Sequence, residues 1–181
     1  VGTWLVYRIS AGVSDAHAEK IFRRGQIGSA ALVSLAHGTN DAQKTMGIIA
    51  VLLYSQGHLG ADFNIPFWVV ISCQAAMGLG TLMGGWRIVR TMGLRITKLT
   101  PMQGFCAETG GAATLFMATY LGVPVSTTHT ITGAIVGVGA ARRVSAVRWN
   151  VASSIVYAWV ITIPALAIVA AATYWAVVLL R

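Results

Sequence analysis

The segment SLAHGTNDAQKTMGIIAVLL, residues 34–53, places His37, Thr39, Asn40, Asp41, Gln43 and Lys44 in a stretch otherwise built of small and apolar residues. A second polar island, PVSTTHTITG at residues 124–133, gathers Ser126, Thr127, Thr128 and His129 just ahead of the small-residue run AIVGVGAA. Between the two islands a carboxylate, Glu108, stands in the small-residue segment GFCAETGGAATL. Groups of these types suit reversible ion binding better than covalent chemistry. Ser126, Thr127 or Thr128 can cap the first free amides of a helix, and those amides, with the positive end of the helix dipole, suit an anion. A nucleophilic centre built on Ser126 and His129 would need an orienting acid, and none is evident, so an intramembrane hydrolase is the remote alternative.

The elements that must carry these groups follow from composition. The 181 residues are 56% hydrophobic and only 10% charged, with a mean hydropathy of +0.70, which describes a membrane protein. Apolar runs at residues 64–86 and 150–180 each exceed the roughly 20 residues needed to cross a hydrocarbon core about 30 Å thick. No basic, short-apolar, small-residue leader opens the sequence, so no secretory signal peptide is expected and the chain reads as a fragment or processed piece. Cys73 and Cys106 lie in separate apolar segments without metal-ligand or CxxC spacing and read as packing residues. His17 and His58 fall in polar loops and carry no assignment.

The net charge of +8 is distributed in short clusters instead of an aromatic-interleaved patch, so nucleic acid is not the expected partner. Arg8, Lys20, Arg23 and Arg24 form one cluster, Arg87, Arg90, Arg95 and Lys98 a second, and Arg142, Arg143 and Arg148 a third. The loop at residues 55–64 has neither Lys nor Arg. By the positive-inside rule the three clusters face the cytoplasm and the 55–64 loop faces outside. Residues 1–26 are then a cytoplasmic connector, partly helical over 9–26, with residues 1–8 the end of an earlier span. Residues 27–181 form a transmembrane domain. Its first span runs from about Gln26 to Tyr54 and a second from about Pro66 to Trp86. Apolar pieces at about 101–121 and 124–140 start and end inside, so they form a hairpin turning at LGVPVS, where Gly122 and Pro124 break the helix. That hairpin either crosses fully or re-enters. A last helix runs outward from about Asn150, with a kink expected at Pro164.

Lipid exposure of Asp41, Lys44 and Glu108 is excluded by cost, since unpaired charges at the bilayer centre total about 10 kcal/mol on insertion scales. Asp41 and Lys44 are spaced to pair along one helix face, which would be a purely structural use. The neutral donors Thr39, Asn40 and Gln43 beside them favour a polar cavity, and Gly38 with Thr39 is expected to let the helix unwind there. Broken elements whose N-termini face an anion are the pattern of secondary transporters.

AHGTNDAQKTMGI and PVSTTHTITGAIVG resemble two signatures of the PiT inorganic phosphate transporters, and GFCAETGGAATL and WVITIPA fit the same pattern over roughly residues 20–170. The resemblance implies an all-α, polytopic bundle with a broken helix and a helical hairpin. That bundle is one half of an inverted-repeat transporter, since the family carries each signature twice and this sequence carries each once. It is the C-terminal repeat that this chain resembles. The partners so implied are inorganic phosphate, the lipid bilayer, and either the N-terminal repeat or a second copy of the chain.

Carried over by motif, Ser126, Thr127 and Thr128 hydrogen-bond phosphate, with Thr39 and Gln43 as second choices. Asn40 and Asp41 take the coupling cation, sodium being possible there, or poise a proton. Glu108 contributes to cation or proton coupling, and Lys44 and His129 are accessory. The expected activity is symport through the inner (cytoplasmic) membrane by alternating access. It requires no cofactor beyond the coupling proton or sodium, and a divalent metal can be carried with phosphate. Sulfate, equally tetrahedral and anionic, is the alternative solute.

Overall fold

Lipid offers backbone amides no hydrogen-bond partner, so apolar segments of this length must close their hydrogen bonds internally as helices. The computed structural model describes Val6, Arg8 and residues 15–59 and 63–179, and all regular structure among them is helical. The earlier span expected at residues 1–8 lies, but for Val6 and Arg8, outside the described residues. Five long helices follow: α1 (Asp15–Ser55), α2 (Phe67–Arg90), α3 (Pro101–Tyr120), α4 (Thr127–Arg142) and α5 (Trp149–Leu179). A π-helical turn at Thr91–Arg95 prolongs α2.

Helix α1 is 41 residues long, about 60 Å at 1.5 Å per residue, so it exceeds the membrane core. It begins at Asp15, well before the Gln26 start read from the sequence, and its first turns belong to the same rod as the span. The unwinding expected at Gly38 and Thr39 does not occur, because α1 runs unbroken through both. A helical glycine costs only about 1 kcal/mol relative to alanine, and the Thr39 hydroxyl bonds back to the Leu35 and Ala36 carbonyls at 2.8 and 3.2 Å. The helix ends in a Schellman turn: His58 N–H donates to the Leu53 carbonyl and Gly57 N–H to that of Tyr54, with Gly57 at φ +75°.

From that turn the chain returns along α1. Buried Val69 and Cys73 of α2 pack on Ala42 and Met46 of α1. The segment Phe67–Arg95 and the helix Trp149–Leu179 are, among the described residues, the two long and apolar enough to cross a membrane, in line with the runs read at 64–86 and 150–180. The shorter α3 and α4 form the expected hairpin. Thr100 opens α3 with a capping box shared with Gln103, ahead of Pro101 at the first helical position. A second Schellman turn closes it: Val123 N–H donates to Ala118 and Gly122 N–H to Thr119, with Gly122 at φ +68°. Ser126 then caps α4 by accepting the His129 N–H.

The basic clusters meet at one end. Arg148 N–H donates to the Ile96 carbonyl at 2.9 Å and the Thr97 hydroxyl to that of Ala146 at 3.1 Å, joining the linkers that carry the second and third clusters. Ile96 and Val147 are buried in this clasp against Ala107, Ile135 and Val138. Phe22, next to Arg23 and Arg24, packs on Phe105 at the start of α3 with ring centroids 5.7 Å apart. Small residues allow close approach: a Cβ on Gly111 would lie 2.6 Å from Ile131 Cδ1, and one on Gly139 would lie 3.1 Å from Val147 Cγ2. The hairpin tip meets α1 at Lys44, eleven residues or about 16 Å short of the Ser55 end. The hairpin therefore turns within the depth that α1 traverses. Helix α5 leaves the clasp with Ala152 as its only buried residue among those described and continues through Pro164.

Gly122→Val should destabilise the hairpin by roughly 1–2 kcal/mol, because a β-branched side chain is strained at positive φ. Gly78→Ala, in an open helical position, should be neutral or stabilise by up to about 1 kcal/mol. Thermal unfolding in detergent distinguishes the two, and equal effects would mean that the turn does not depend on the glycine.

Candidate binding site at the hairpin tip

The capped turn that starts α4 delivers Thr127 to α1. Its hydroxyl donates to Asp41 Oδ2 at 2.9 Å, across 86 residues of sequence. Lys44, one turn beyond Asp41, donates from Nζ to Asp41 Oδ1 at 2.9 Å and to the Val125 carbonyl at 2.7 Å. His37, one turn before it, places Nδ1 3.3 Å from Asp41 Oδ2. The Asp41 side chain keeps 22% of its surface exposed, against 41% for Lys44 and 39% for His37, so the group forms an open face and not a sealed core. Two bonds thus sew the hairpin tip to α1, each charge-assisted and each contributing about 1.5–3 kcal/mol by type.

Beside this group Asn40 is buried, and its Nδ2 has no hydrogen-bond partner. Asn40, Gln43 and Lys44 line a cavity of about 270 Å³ with Thr119 and the turn residues Gly122, Val123 and Pro124. A buried amide donor left unpaired costs about 1–3 kcal/mol, which an acceptor entering the cavity would recover. Ser126 spends its oxygen as the helix cap, and Thr130 N–H is taken by the Ser126 carbonyl. The amides of Thr127 and Thr128, at the positive end of a 16-residue helix, have no in-helix acceptor.

The remaining candidates stand apart. Thr39 turns its hydroxyl onto its own helix, and Thr128 is exposed on the first turn of α4. His129 stacks on Trp159 of α5, centroids 3.6 Å apart and planes 29° apart, instead of facing Asp41. Glu108 accepts from Ser29, twelve residues or about 18 Å along α1 from Asp41. It lines a larger cavity of about 560 Å³ with Arg23, Gln26, Ser34 and Thr100, toward the basic end. The structure therefore brings Asn40, Asp41, Gln43, Lys44, Ser126 and Thr127 together and separates Glu108 and His129 from them. His37 was given no role from sequence, although its i, i+4 spacing to Asp41 is the signal that would have found it. Among the described residues no group of three or more His, Cys, Asp or Glu could hold a metal ion.

A model of the phosphate transporter family matches residues 5–170. A probable low-affinity inorganic phosphate transporter of Rhizobium meliloti (strain 1021) is 68% identical over 96% of this chain and 51% of its own length. A protein of the same description from Mycobacterium tuberculosis (strain ATCC 25618 / H37Rv) is 49% identical over 96% of the chain and 42% of its own. The chain thus spans about half the length of the curated relatives it matches. Among solved structures, one titled the sodium-dependent phosphate transporter superposes with a TM-score of 0.80 at 33% identity, over 98% of this chain and 46% of that one. These relatives are named as transporters, the class expected, and not as hydrolases.

The pairing of Asp41 with Thr127 is open to a double-mutant cycle of Asp41→Asn and Thr127→Val, read by thermal unfolding in detergent. A coupling of about 1–3 kcal/mol is expected. Strict additivity would show that the bond does not hold the hairpin.

Proposed function

This chain belongs to the phosphate transporter family, and from that premise we propose that it is one half of a carrier moving inorganic phosphate across the cytoplasmic membrane by cation-coupled symport. The observation that carries this reading is the meeting of two distant polar segments at Asp41 and Thr127, beside a cavity with an unpaired Asn40 donor. In this reading residues 1–26 lie on the cytoplasmic side with the basic end, and residues 27–181 form the transport domain.

The donors suit a tetrahedral anion. Asn40 Nδ2, the Thr127 and Thr128 amides and Lys44 Nζ supply positive ends for phosphate oxygens, with Gln43 at the rim. Phosphate at neutral pH also carries at least one P–O–H, which needs an acceptor. A carboxylate offers about four lone-pair positions, and Asp41 has hydrogen-bond donors on two, from Lys44 and Thr127, with His37 Nδ1 3.3 Å from Oδ2. A remaining position can accept that proton, whereas sulfate has none to give, so phosphate is favoured over sulfate. Offsetting the anion's charge with a coupling cation, proton or sodium, raises the affinity of each for the site reciprocally. A divalent metal would travel as cargo bound to phosphate. The other half of the carrier is a second repeat or a second copy of this chain, and Glu108 in its separate cavity serves the coupling or release path toward the cytoplasm.

Radiolabelled phosphate uptake tests the reading in proteoliposomes holding the chain with its co-purifying other half. Asp41→Asn and Thr127→Val should each cut uptake about tenfold or more, the equivalent of a charge-assisted hydrogen bond. Excess sulfate should compete weakly. Uptake untouched by both substitutions would overturn the site, and no phosphate uptake at all would overturn the function.

A further inference from the structure

The Lys44 ammonium occupies the place where a coupling metal cation would have to bind. It lies 2.9 Å from Asp41 Oδ1 and 2.7 Å from the Val125 carbonyl, a carboxylate and a backbone oxygen of the kind a hard cation uses as ligands. The second carboxylate oxygen, Oδ2, takes the Thr127 hydroxyl at 2.9 Å and faces His37 Nδ1 at 3.3 Å. Around Asp41, then, both oxygens are already engaged by donors, and one of those donors is an ammonium. Asn40, whose buried Nδ2 is unpaired, lines the same cavity as Lys44. A sodium ion entering here would displace the ammonium from both of its oxygens or sit beside it as a like charge. The donor set does not fit sodium.

We propose that Lys44 is a tethered counter-cation that replaces sodium at Asp41, so that this half of the carrier binds its anion without drawing sodium to that carboxylate. The proposal rests on the transporter reading and deepens it. An ammonium has three donors, and two are spent on Asp41 and Val125. The third belongs to the cavity that Lys44 lines with Asn40 and Gln43, where it meets a phosphate oxygen. One side chain thereby neutralises the carboxylate, ties the hairpin tip to α1 and contributes to anion binding. Lys44 is a specificity-determining residue for the coupling ion, and removing its charge should convert the site into one that accepts sodium.

The test is made on the chain with its co-purifying other half, first without phosphate. Replacing choline by sodium should leave the thermal midpoint of the wild-type protein unchanged, or shift it equally in wild type and Asp41→Asn. In Lys44→Gln the vacated oxygens should bind sodium and raise the midpoint, an effect lost on adding Asp41→Asn. In proteoliposomes, Lys44→Gln should lose phosphate uptake about tenfold or more in choline, as expected for removing one partner of a charge-assisted pair, and regain it in sodium. Lys44→Arg should keep sodium-independent uptake. A sodium response of the wild type that Asp41→Asn abolishes would overturn the proposal, and this arm needs no Lys44 variant to fold. A Lys44→Gln protein that folds but gains no sodium response would overturn it too. Failure of phosphate uptake in every arm would instead strike the transporter reading, since the sodium measurements are made without phosphate.

Discussion

A carboxylate placed partway along a long helix, in a stretch otherwise small and apolar, must be surrounded by donors, and the Asp41 group is the answer this chain gives to that constraint. Left bare near the bilayer centre, the charge would cost about 2.5–3.5 kcal/mol on insertion scales. On its own helix, Lys44 donates to Oδ1 and His37 lies 3.3 Å from Oδ2, covering one side of it. The remaining side is closed by Thr127, which belongs to a different helix and arrives only because the hairpin turns at the right depth. The electrostatic need of one side chain thus sets where the hairpin tip stops, and the short Schellman turn with its Ser126 cap follows from that placement.

The hairpin is consequently held at both ends by polar bonds and along its length by small residues. At the basic end, Ile96 and Thr97 are locked to Ala146 and Arg148 through backbone oxygens, over a buried cluster of Ile96, Ala107, Ile135, Val138 and Val147. At the tip, Lys44 and Thr127 perform the same office through charge. The two anchors differ physically. The clasp is apolar and buried, so it persists whatever ions are present, whereas the tip is half-exposed and its bonds compete with any anion or cation that enters. A solute that displaced Lys44 from Val125 or Thr127 from Asp41 would loosen the tie between α4 and α1 while the clasp stays shut.

Much of the fold is legible in the residues because its signals are local. Apolar runs of sufficient length mark Phe67–Arg95 and Trp149–Leu179, Gly122 and Pro124 mark the hairpin turn, and the Thr100 and Ser126 caps mark helix starts. The clustering of Arg and Lys anticipates the single basic end where the linkers meet. The break expected at Gly38 and Thr39 fails for an equally local reason: a lone glycine without proline costs a helix too little to open it, and the threonine hydroxyl bonds back to its own helix. The 15–26 segment reads as a connector from its charges, but polarity says nothing against its continuing the helix that follows.

For the site, the residue types and their spacing within each island were determined by the chain alone: a carboxylate with a lysine one turn away, and hydroxyls at a helix start. Whether Asp41 meets Thr127 or Glu108, and whether His129 faces the carboxylate or Trp159, depends on helix depth and rotation, which no single island encodes. Tertiary structure decided these by matching the length of α3 against α1. The same match placed Glu108 against Ser29, twelve residues or about 18 Å along α1 from the carboxylate that sequence reasoning had grouped with it. Charge type is a property of residues, but which charges share a cavity is a property of how helices pack.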